Sequence, residues 1–297
     1  MVNSIKNSKI EIDIENCTGC KACVKECVAS LFYFKAGLLQ IVDTFEDSCI
    51  LCGHCEAVCP VDVIRLLFHK QEVLTDNSIK ERIPSFDSFF NLALTRRSIR
   101  QFKKKAISKD LIEKLLELAR YSPTGSNSEN VYYTIVQDKE IVTAISNHIT
   151  RKAIRLVKAL ESPQGRTNLK ERMSEEEFNQ AEENLPTTKR ILKSIEHGID
   201  FWCWNGELIV IHGDKAIGGI PENCSLAAAH IMLGAETLGL GTCSLGYLTY
   251  FINESRTIRD LLKIPNNYIV GYSLTMGYPD VKYKRIPARK PSRIQWL

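Results

Sequence analysis

The sequence predicts a protein of mixed helices and strands, of the α/β or the α+β class, made of two unlike domains, and three observations lead to this prediction. First, 44% of the 297 residues are hydrophobic and 25% are charged, which supplies packed cores and excludes a disordered or low-complexity chain. Second, eight of the eleven cysteines lie within the first 59 residues. Third, the rest of the chain intersperses helical patterns with a few strand-like runs.

Charge and composition suggest where the two domains meet. The formal charge is −3 over residues 1–80 and +7 over the rest, so the two parts suit different partners. Between them the sequence turns polar and closes at Pro84. We therefore expect a cysteine-rich domain at residues 1–68, a linker at 69–85 and a larger domain at 86–297.

Two features of the sequence bear on its compartment. The N-terminus leads into a charged segment without an apolar signal-peptide core, and no stretch approaches the ~18 apolar residues of a membrane span. We therefore expect a cytoplasmic protein without a membrane partner. Because thiols stay reduced there, clustered cysteines more often bind metal than form disulfides.

The larger domain begins with two amphipathic helices. Apolar residues recur at helical spacing from Phe86 to Leu94, with Ser85 placed as the N-cap. A second helix follows Ser108, which is placed to cap it. These two patterns predict helices that each bury one face.

Further elements follow along the chain. Residues Thr150–Glu196 read as charged and helical, and an apolar helix from Ala227 to Leu238 is expected to end at the breakers Gly239 and Gly241. Strands are expected at Tyr132–Val136, Leu208–Ile211 and Tyr268–Met276. On their own, these patterns fit an α/β or an α+β body.

The N-terminal cysteines form two runs of identical spacing. Each run is Cys-x2-Cys-x2-Cys-x3-Cys: Cys17, Cys20, Cys23 and Cys27, then Cys49, Cys52, Cys55 and Cys59. Three thiolates of such a loop bind one [4Fe–4S] cluster, and the fourth cysteine ligates the other cluster. The expected ligand sets are therefore Cys17, Cys20, Cys23 and Cys59 for one cluster and Cys49, Cys52, Cys55 and Cys27 for the other.

This doubled pattern, over about residues 8–68, resembles the bacterial two-cluster ferredoxins. One departure is Val28, which stands where a proline normally follows the fourth cysteine; since proline is not a ligand, the ligand sets are unaffected. The alternative is zinc, which paired Cys-x2-Cys motifs also bind. A zinc site uses four ligands in two spaced pairs. Here each run has three closely spaced cysteines and a fourth further on, which is more than a zinc site needs. The pattern therefore indicates an electron-transfer domain.

A basic segment follows the first helix of the larger domain. Residues Arg96–Arg100 (RRSIR) favour an anion site, because guanidinium groups and a serine hydroxyl suit phosphate. Taken alone, the segment is better explained as favourable cationic charge at a helix C-terminus, which needs no ligand. It is accompanied by three further motifs: Tyr121–Asn127, Gly239–Gly246, and Gly277–Pro279 followed by Arg289.

In this order and spacing, the set resembles the nitroreductase family of flavin enzymes over about residues 86–297. The resemblance implies an α+β fold with a central sheet wrapped by helices, a homodimer, and FMN bound at the subunit interface. Carried over by position, the residues that hold FMN would be Arg96, Arg97, Ser98, Arg100, Leu245, Gly246 and Arg289 of one subunit, with Thr124, Gly125 and Asn127 of the second.

The resemblance assigns different roles to these residues. The arginines and Ser98 would hold the FMN phosphate and the ribityl chain or ring edge, and Leu245 and Gly246 would offer backbone N–H groups to the ring. Thr124 replaces a more usual serine and keeps its hydroxyl, whereas Gly246 lacks a glutamate that some members carry. Arg285 and Lys290 are alternatives to Arg289.

The remaining cysteines and two tryptophans have less specific interpretations. Cys203, Cys224 and Cys243 lie among apolar neighbours and are expected to be buried packing residues. Trp202 and Trp204 are expected in the core, with a wall of the flavin pocket as the alternative.

We predict a flavin-dependent oxidoreductase in which two [4Fe–4S] clusters relay electrons to or from FMN, reducing nitro compounds, quinones or a related small acceptor. No side chain is expected to be catalytic, because the cofactor carries the chemistry. The electron donor is reduced ferredoxin or NAD(P)H. One alternative is an electron carrier or redox sensor without turnover. Nucleic-acid binding is not expected, because the +7 charge is spread out and Lys103–Lys105 is a short run.

Overall fold

The computed structural model describes residues 4–67 and 81–297. Contacts between Cα atoms divide the chain into two units: Met1–Pro84 with Ser126–Ser128, and Ser85–Gly125 with Glu129–Leu297. Most of the expected linker, residues 69–80, lies outside the described residues.

The first unit is built from short elements. Its strands are β1 (Ser4–Lys6), β2 (Ile10–Asp13), β3 (Phe32–Lys35), β4 (Leu38–Ile41) and β5 (Ile64–Leu66). Its helices are α1 (Ala22–Glu26), α2 (Phe45–Ser48) and α3 (His54–Ala57). Strands β1, β2 and β5 form an antiparallel sheet in that order, and β3 pairs with β4 as a separate hairpin.

A small apolar core holds this unit together. Ile10, Ile12, Leu39 and Phe45 are almost completely buried, and the rings of Phe32 and Phe45 meet edge to face at 5.7 Å. The same core includes or contacts most of the clustered cysteines. Because so small a module buries little apolar surface, groups bound by those cysteines would add much of its stability.

The second unit contains eight helices and four strands among the described residues. The helices are α4 (Phe86–Thr95), α5 (Lys109–Arg120), α6 (Lys139–Leu160), α7 (Pro163–Arg172), α8 (Glu175–Glu196), α9 (Ile220–Thr237), α10 (Gly246–Glu254) and α11 (Arg256–Leu261). The strands are β6 (Tyr132–Val136), β7 (Glu207–Asp214), β8 (Gly241–Ser244) and β9 (Tyr268–Gly277).

The four strands form an antiparallel sheet in the order β6-β7-β9-β8. Strand β7 is apolar on both faces: Leu208 and Val210 belong to one core, and Ile209 and Ile211 belong to another. Helices α6 and α10 contribute to the first core, and α5 and α9 contribute to the second. The sheet is therefore buried between two helical layers, and the expected α+β class is confirmed.

The expected helices and strands of the second unit are present, but some of the expected roles differ. Ser108 precedes α5, yet its side chain makes no cap hydrogen bond. Ser85 caps α4, because its Oγ accepts the Ser88 N–H at 3.2 Å, and Gly239 follows α9 with a left-handed φ of 69°. Gly241, however, is not a helix breaker. It is a buried residue of β8, where a Cβ would lie only 2.4 Å from Cγ1 of Ile99.

Helix α4 differs from the other long helices in what its apolar face contacts. None of its residues is buried, and Phe86, Phe89 and Phe90 are 77%, 48% and 49% exposed. The rings of Phe86 and Phe90 stack on each other at 5.8 Å. The helix itself forms as the periodicity predicts, but its apolar face is not covered within the described chain.

Among the residues that the structure describes, no helix combines the length and the apolar character needed to cross a membrane.

Candidate functional site

The structure brings the eight N-terminal cysteines together in two groups of four. Cys17, Cys20, Cys23 and Cys59 line one small cavity of the first unit. Cys27, Cys49, Cys52 and Cys55 line a second. Each group combines three cysteines of one run with the fourth cysteine of the other, which is the grouping expected from the spacing.

Local backbone geometry lets each cysteine run curve around its cavity. Gly19 has a φ of 68° and Gly53 a φ of 76°, the left-handed region that glycine enters without steric cost. Helix α3 begins directly after Gly53 and carries Cys55 on its first turn. At the other end, the Leu31 N–H donates to Sγ of Cys27 at 3.5 Å, which fixes the orientation of that thiol.

Burial controls the protonation of the innermost thiols. It raises the pKa of Cys55 to about 12, with neighbouring cysteines adding to the increase, and it raises the pKa of Cys23 as well. An isolated thiolate is therefore unfavourable at these positions, and bound cations would have to stabilise it. In the described ranges, no group of three or more His, Cys, Asp or Glu side chains is arranged to hold a single metal ion.

The second unit contains a cavity of about 740 Å³. One side, here called the aromatic wall, consists of Phe201, Trp202, Trp204, Tyr247, Tyr250 and Phe251. Another part of the lining, here called the α8 wall, consists of Glu177, Gln180, Ala181, Asn184 and Thr188. Arg100, Leu245 and Gly246, which the sequence assigns to FMN, also line it.

Strand β8 positions the basic segment beside this cavity. The Ile99 N–H donates to the Thr242 carbonyl at 2.9 Å, and Ser98 and Thr242 form an isolated parallel bridge. Ile99 is 5% exposed, so it anchors the segment while Arg97 and Arg100, on either side, keep contact with solvent. The guanidinium of Arg100 lies 5.5 Å from the centroid of the Trp204 ring.

Cys243 shows that this basic segment converges at the cavity. It is buried in β8 and also lines the cavity. Burial raises the pKa of its thiol, whereas the nearby side chains of Arg100, Ser98 and Arg96 lower it. The side chains of Arg96, Ser98 and Arg100, three of the four proposed to hold an anion, therefore lie near Sγ of Cys243 at the edge of the cavity.

The two backbone donors predicted at the start of α10 differ in their bonding. The Leu245 N–H donates to the Ser273 carbonyl at 2.8 Å, so it already has an acceptor inside the fold. Gly246 is the first residue of α10, where N–H groups lack helical acceptors. A Cβ built on Gly246 meets no atom within 4 Å, so the cavity is open at this residue.

The predicted residues of the second subunit lie on one turn that does not line this cavity. Oγ1 of Thr124 accepts the Glu129 N–H at 3.1 Å, and the Gly125 N–H donates to Oδ1 of Asn223 at 3.0 Å. Asn127 is grouped with the first unit, where its amide donates to the carbonyls of Ile50 and Leu51 at 3.3 and 3.2 Å.

Arg289, predicted at the phosphate, is exposed and lies in C-terminal residues without helix or strand. It does not line the cavity.

Sequence reasoning did not identify most of the cavity lining. Trp202 is buried in the core as expected, but its ring and that of Trp204 also line the cavity, which is the alternative interpretation. The α8 wall was recognisable only as a charged helix. Its lining residues fall on one helical face, and that periodicity is the signal that could have located them.

Comparison with known families accounts for both units. The profile described as "Nitroreductase family" matches residues 93–278, and the profile described as "4Fe-4S dicluster domain" matches residues 16–64. A ferredoxin from Mycolicibacterium smegmatis is 46% identical over 44 residues, which are 15% of this chain and 39% of that protein.

Two curated relatives align with the second unit. A putative NADH dehydrogenase/NAD(P)H nitroreductase from Archaeoglobus fulgidus is 27% identical over 62% of this chain and 82% of its own length. An iodotyrosine deiodinase from Thermotoga neapolitana is also 27% identical, over 67% of this chain and 92% of its own.

Solved structures share the fold of this unit. A nitroreductase with bound FMN from Desulfitobacterium hafniense superposes with a TM-score of 0.52 at 19% identity, covering 72% of this chain and all of that one. A BluB-like flavoprotein from Clostridium difficile superposes with a TM-score of 0.50 at 18% identity, covering 69% of this chain and 98% of that one.

Proposed function

Because the chain belongs to the nitroreductase family and also carries a 4Fe-4S dicluster domain, we propose that it passes electrons between two [4Fe–4S] clusters and FMN to reduce a small acceptor. It is a flavin-dependent oxidoreductase. The proposed acceptors are nitro compounds, quinones or related molecules. The alternative function, an electron carrier or redox sensor that converts no small molecule, is not favoured, because the family consists of oxidoreductases.

The observation that carries this proposal is the combination of donor sets in one chain. Each of two cavities is lined by four thiols, and a third cavity has a basic segment at its edge. Thiolates are the ligands of iron–sulfur clusters, and guanidinium groups suit phosphate. We propose Cys17, Cys20, Cys23 and Cys59 as the ligands of one cluster, and Cys27, Cys49, Cys52 and Cys55 as the ligands of the other.

The residues around the large cavity fit FMN. Arg96, Arg97, Ser98 and Arg100 are proposed to hold the phosphate, ribityl chain or ring edge, since their segment is fixed on β8 at the cavity. The Gly246 N–H is proposed as a donor to the ring, where the absence of a side chain leaves room. Leu245 is proposed to contribute packing, because its N–H is already bonded to Ser273.

Other predicted FMN contacts are proposed for the second subunit or the chain terminus. Thr124 and Gly125 are proposed to reach FMN from the second subunit, with Asn127 beside them, and Arg289 to reach its phosphate. When bound, FMN would supply the link between one-electron transfer from a cluster and two-electron reduction of an organic acceptor. The protein's own contribution is to orient the flavin and the acceptor and to exclude water.

We propose that the chain is a homodimer with α4 in the interface. Its three phenylalanines present an exposed apolar face, and burying one such side chain contributes roughly 1.5–3 kcal/mol. The proposed location is the cytoplasm, where a reducing environment keeps cluster-binding thiols available.

The relay is tested with cluster-ligand variants. After anaerobic purification, Cys20→Ala and Cys52→Ala should each slow FMN reduction by reduced ferredoxin by at least about tenfold, because each removes a ligand. Cys224→Ala is the matched control, since that cysteine is buried away from all three cavities. Unchanged FMN reduction in both ligand variants, with clusters demonstrably lost, would exclude the relay.

A further inference from the structure

The cavity of the second unit presents two chemically different walls to an acceptor. The aromatic wall offers ring faces on which a planar molecule can stack. The α8 wall offers Glu177, Gln180 and Asn184, spaced by three and four residues and therefore on one face of the helix. An acceptor in the cavity therefore meets both aromatic rings and polar side chains.

Glu177 is held in place as an ionised carboxylate. The backbone N–H and hydroxyl of Ser174 donate to its Oε2 at 2.8 and 2.9 Å, and its own N–H donates to Oγ of Ser174 at 3.2 Å. This capping box fixes the first turn of α8. The two hydrogen bonds from Ser174 lower the pKa of Glu177, so it is negative at neutral pH.

A second carboxylate, that of Glu254, lies four residues after Tyr250 on α10 and therefore on the same face of that helix. Burial raises the pKa of Tyr250, and the charges of Glu254 and Glu177 raise it further. Tyr250 belongs to the aromatic wall and is 60% exposed, so it marks the side of the cavity that meets solvent. The carboxylates of Glu177 and Glu254 are therefore both near the phenol of Tyr250.

The positive charge of the cavity lies elsewhere. Among the described residues that line it, the charged ones are Arg100 and Glu177. Arg100 packs against Trp204 and acts on Cys243, at the edge assigned to FMN. With Arg100 engaged there, the charge that an acceptor meets at the α8 wall is that of Glu177.

We propose that Glu177, reinforced by Glu254, makes the cavity select neutral or cationic aromatic acceptors over anionic ones. This inference rests on the proposed function and specifies its acceptor class. The aromatic wall stacks the ring of the acceptor, and the amides of Gln180 and Asn184 donate to its nitro or carbonyl oxygens. A carboxylated acceptor would place its negative charge near that of Glu177.

The experiment compares two acceptors of matched shape, 4-nitrobenzamide and 4-nitrobenzoate. Anaerobically reduced full-length protein is mixed with each, and flavin reoxidation is followed. Wild type should favour the neutral amide, and Glu177→Gln should raise the ratio of the rate with the anion to the rate with the amide about threefold, as expected for one screened charge at the surface. Glutamine preserves the capping box, so α8 keeps its first turn.

Glu176→Gln is the matched control, because it removes the same charge from the neighbouring position, which does not line the cavity. The anion-to-amide ratio should stay at the wild-type value in this variant. An unchanged ratio in Glu177→Gln, or an equal change in both variants, would overturn the proposal.

Binding to the oxidised protein separates this proposal from the proposed function. The dissociation constants of both acceptors are measured from the change in flavin absorbance. If neither acceptor is reduced, the proposed function fails. The acceptor preference is then judged from binding. It is supported if Glu177→Gln tightens the binding of 4-nitrobenzoate relative to that of 4-nitrobenzamide, and it is contradicted if the ratio of the two dissociation constants does not change.

Discussion

Gly241→Ala is expected to weaken FMN binding although residue 241 is not a proposed FMN ligand. A Cβ at this position would lie 2.4 Å from Cγ1 and 2.8 Å from Cβ of Ile99, and 3.0 Å from Cγ of Pro279. Carbon atoms pack at about 3.5–4.0 Å, so Ile99 must retreat by roughly 1 Å. Because Cβ of Ile99 is itself too close, the backbone of the basic segment must move with it.

Two magnitudes follow from this displacement. Overpacking a core position costs about 1–3 kcal/mol, which lowers the free energy of unfolding. The movement also shifts the Ile99–Thr242 hydrogen bond that holds Arg96–Arg100 on β8. Losing one charge-assisted hydrogen bond to phosphate costs about 1.5–3 kcal/mol, so FMN should bind about 10- to 100-fold more weakly.

The assay is a fluorescence titration of flavin-free protein with FMN, together with urea unfolding. Gly218→Ala is the matched control, because a Cβ there meets no atom within 4 Å, and both values should stay at wild type. A variant that is destabilised as expected but binds FMN normally would show that the basic segment does not hold the cofactor.

Three further predictions concern other parts of the fold. Burial, and then the Arg259 charge, lower the pKa of His212 from 6.5 to about 4, so the unfolded chain binds more protons between these pH values. The stability contributed by neutral His212 is complete above pH 6.5 and should fall by about 3 kcal/mol as the pH drops to 4. In urea unfolding, the free energy of unfolding of His212→Phe should lack this part of the pH dependence. The same pH dependence in wild type and variant would contradict the assignment. Phe89→Glu should raise the dissociation constant of the proposed dimer roughly 100-fold, measured by light scattering after gel filtration. A dimer of unchanged affinity would place the interface elsewhere. Gly53→Ala adds a Cβ at a φ of 76° in the cluster loop and should cost about 1 kcal/mol of stability there. This variant should lose iron to a chelator faster than the control Gly37→Ala, whose residue is also left-handed but lies in the β3–β4 turn. Equal rates of iron loss would argue against the loop geometry.

Features governed by local spacing were predictable from the sequence. The two cysteine runs predicted which four thiols share a cavity, because a loop of three closely spaced cysteines must curve around one centre. Helix α4 was likewise predictable from its apolar period and its Ser85 cap. What the period could not show is that this apolar face is left uncovered by the rest of the described chain.

Features governed by distant residues were not predictable. Gly241 looked like a helix breaker because it follows α9 closely, but its role depends on Ile99, far earlier in the chain. The N–H of Leu245 looked available for a ligand until strand β9 brought the Ser273 carbonyl beside it. The cavity has the same origin, since helix α8 and the aromatic wall meet only in the folded chain.

The central claim, that clusters and FMN in one chain exchange electrons, is tested most directly in a single turnover. Fully reduced protein is mixed anaerobically with 4-nitrobenzamide, and cluster oxidation is followed by electron paramagnetic resonance while flavin oxidation is followed by absorbance. We predict that both clusters are oxidised together with the flavin, and that Cys52→Ala, which removes a ligand of one cluster, delivers at least one electron fewer than wild type. Clusters that stay reduced after the flavin has been oxidised would contradict the relay.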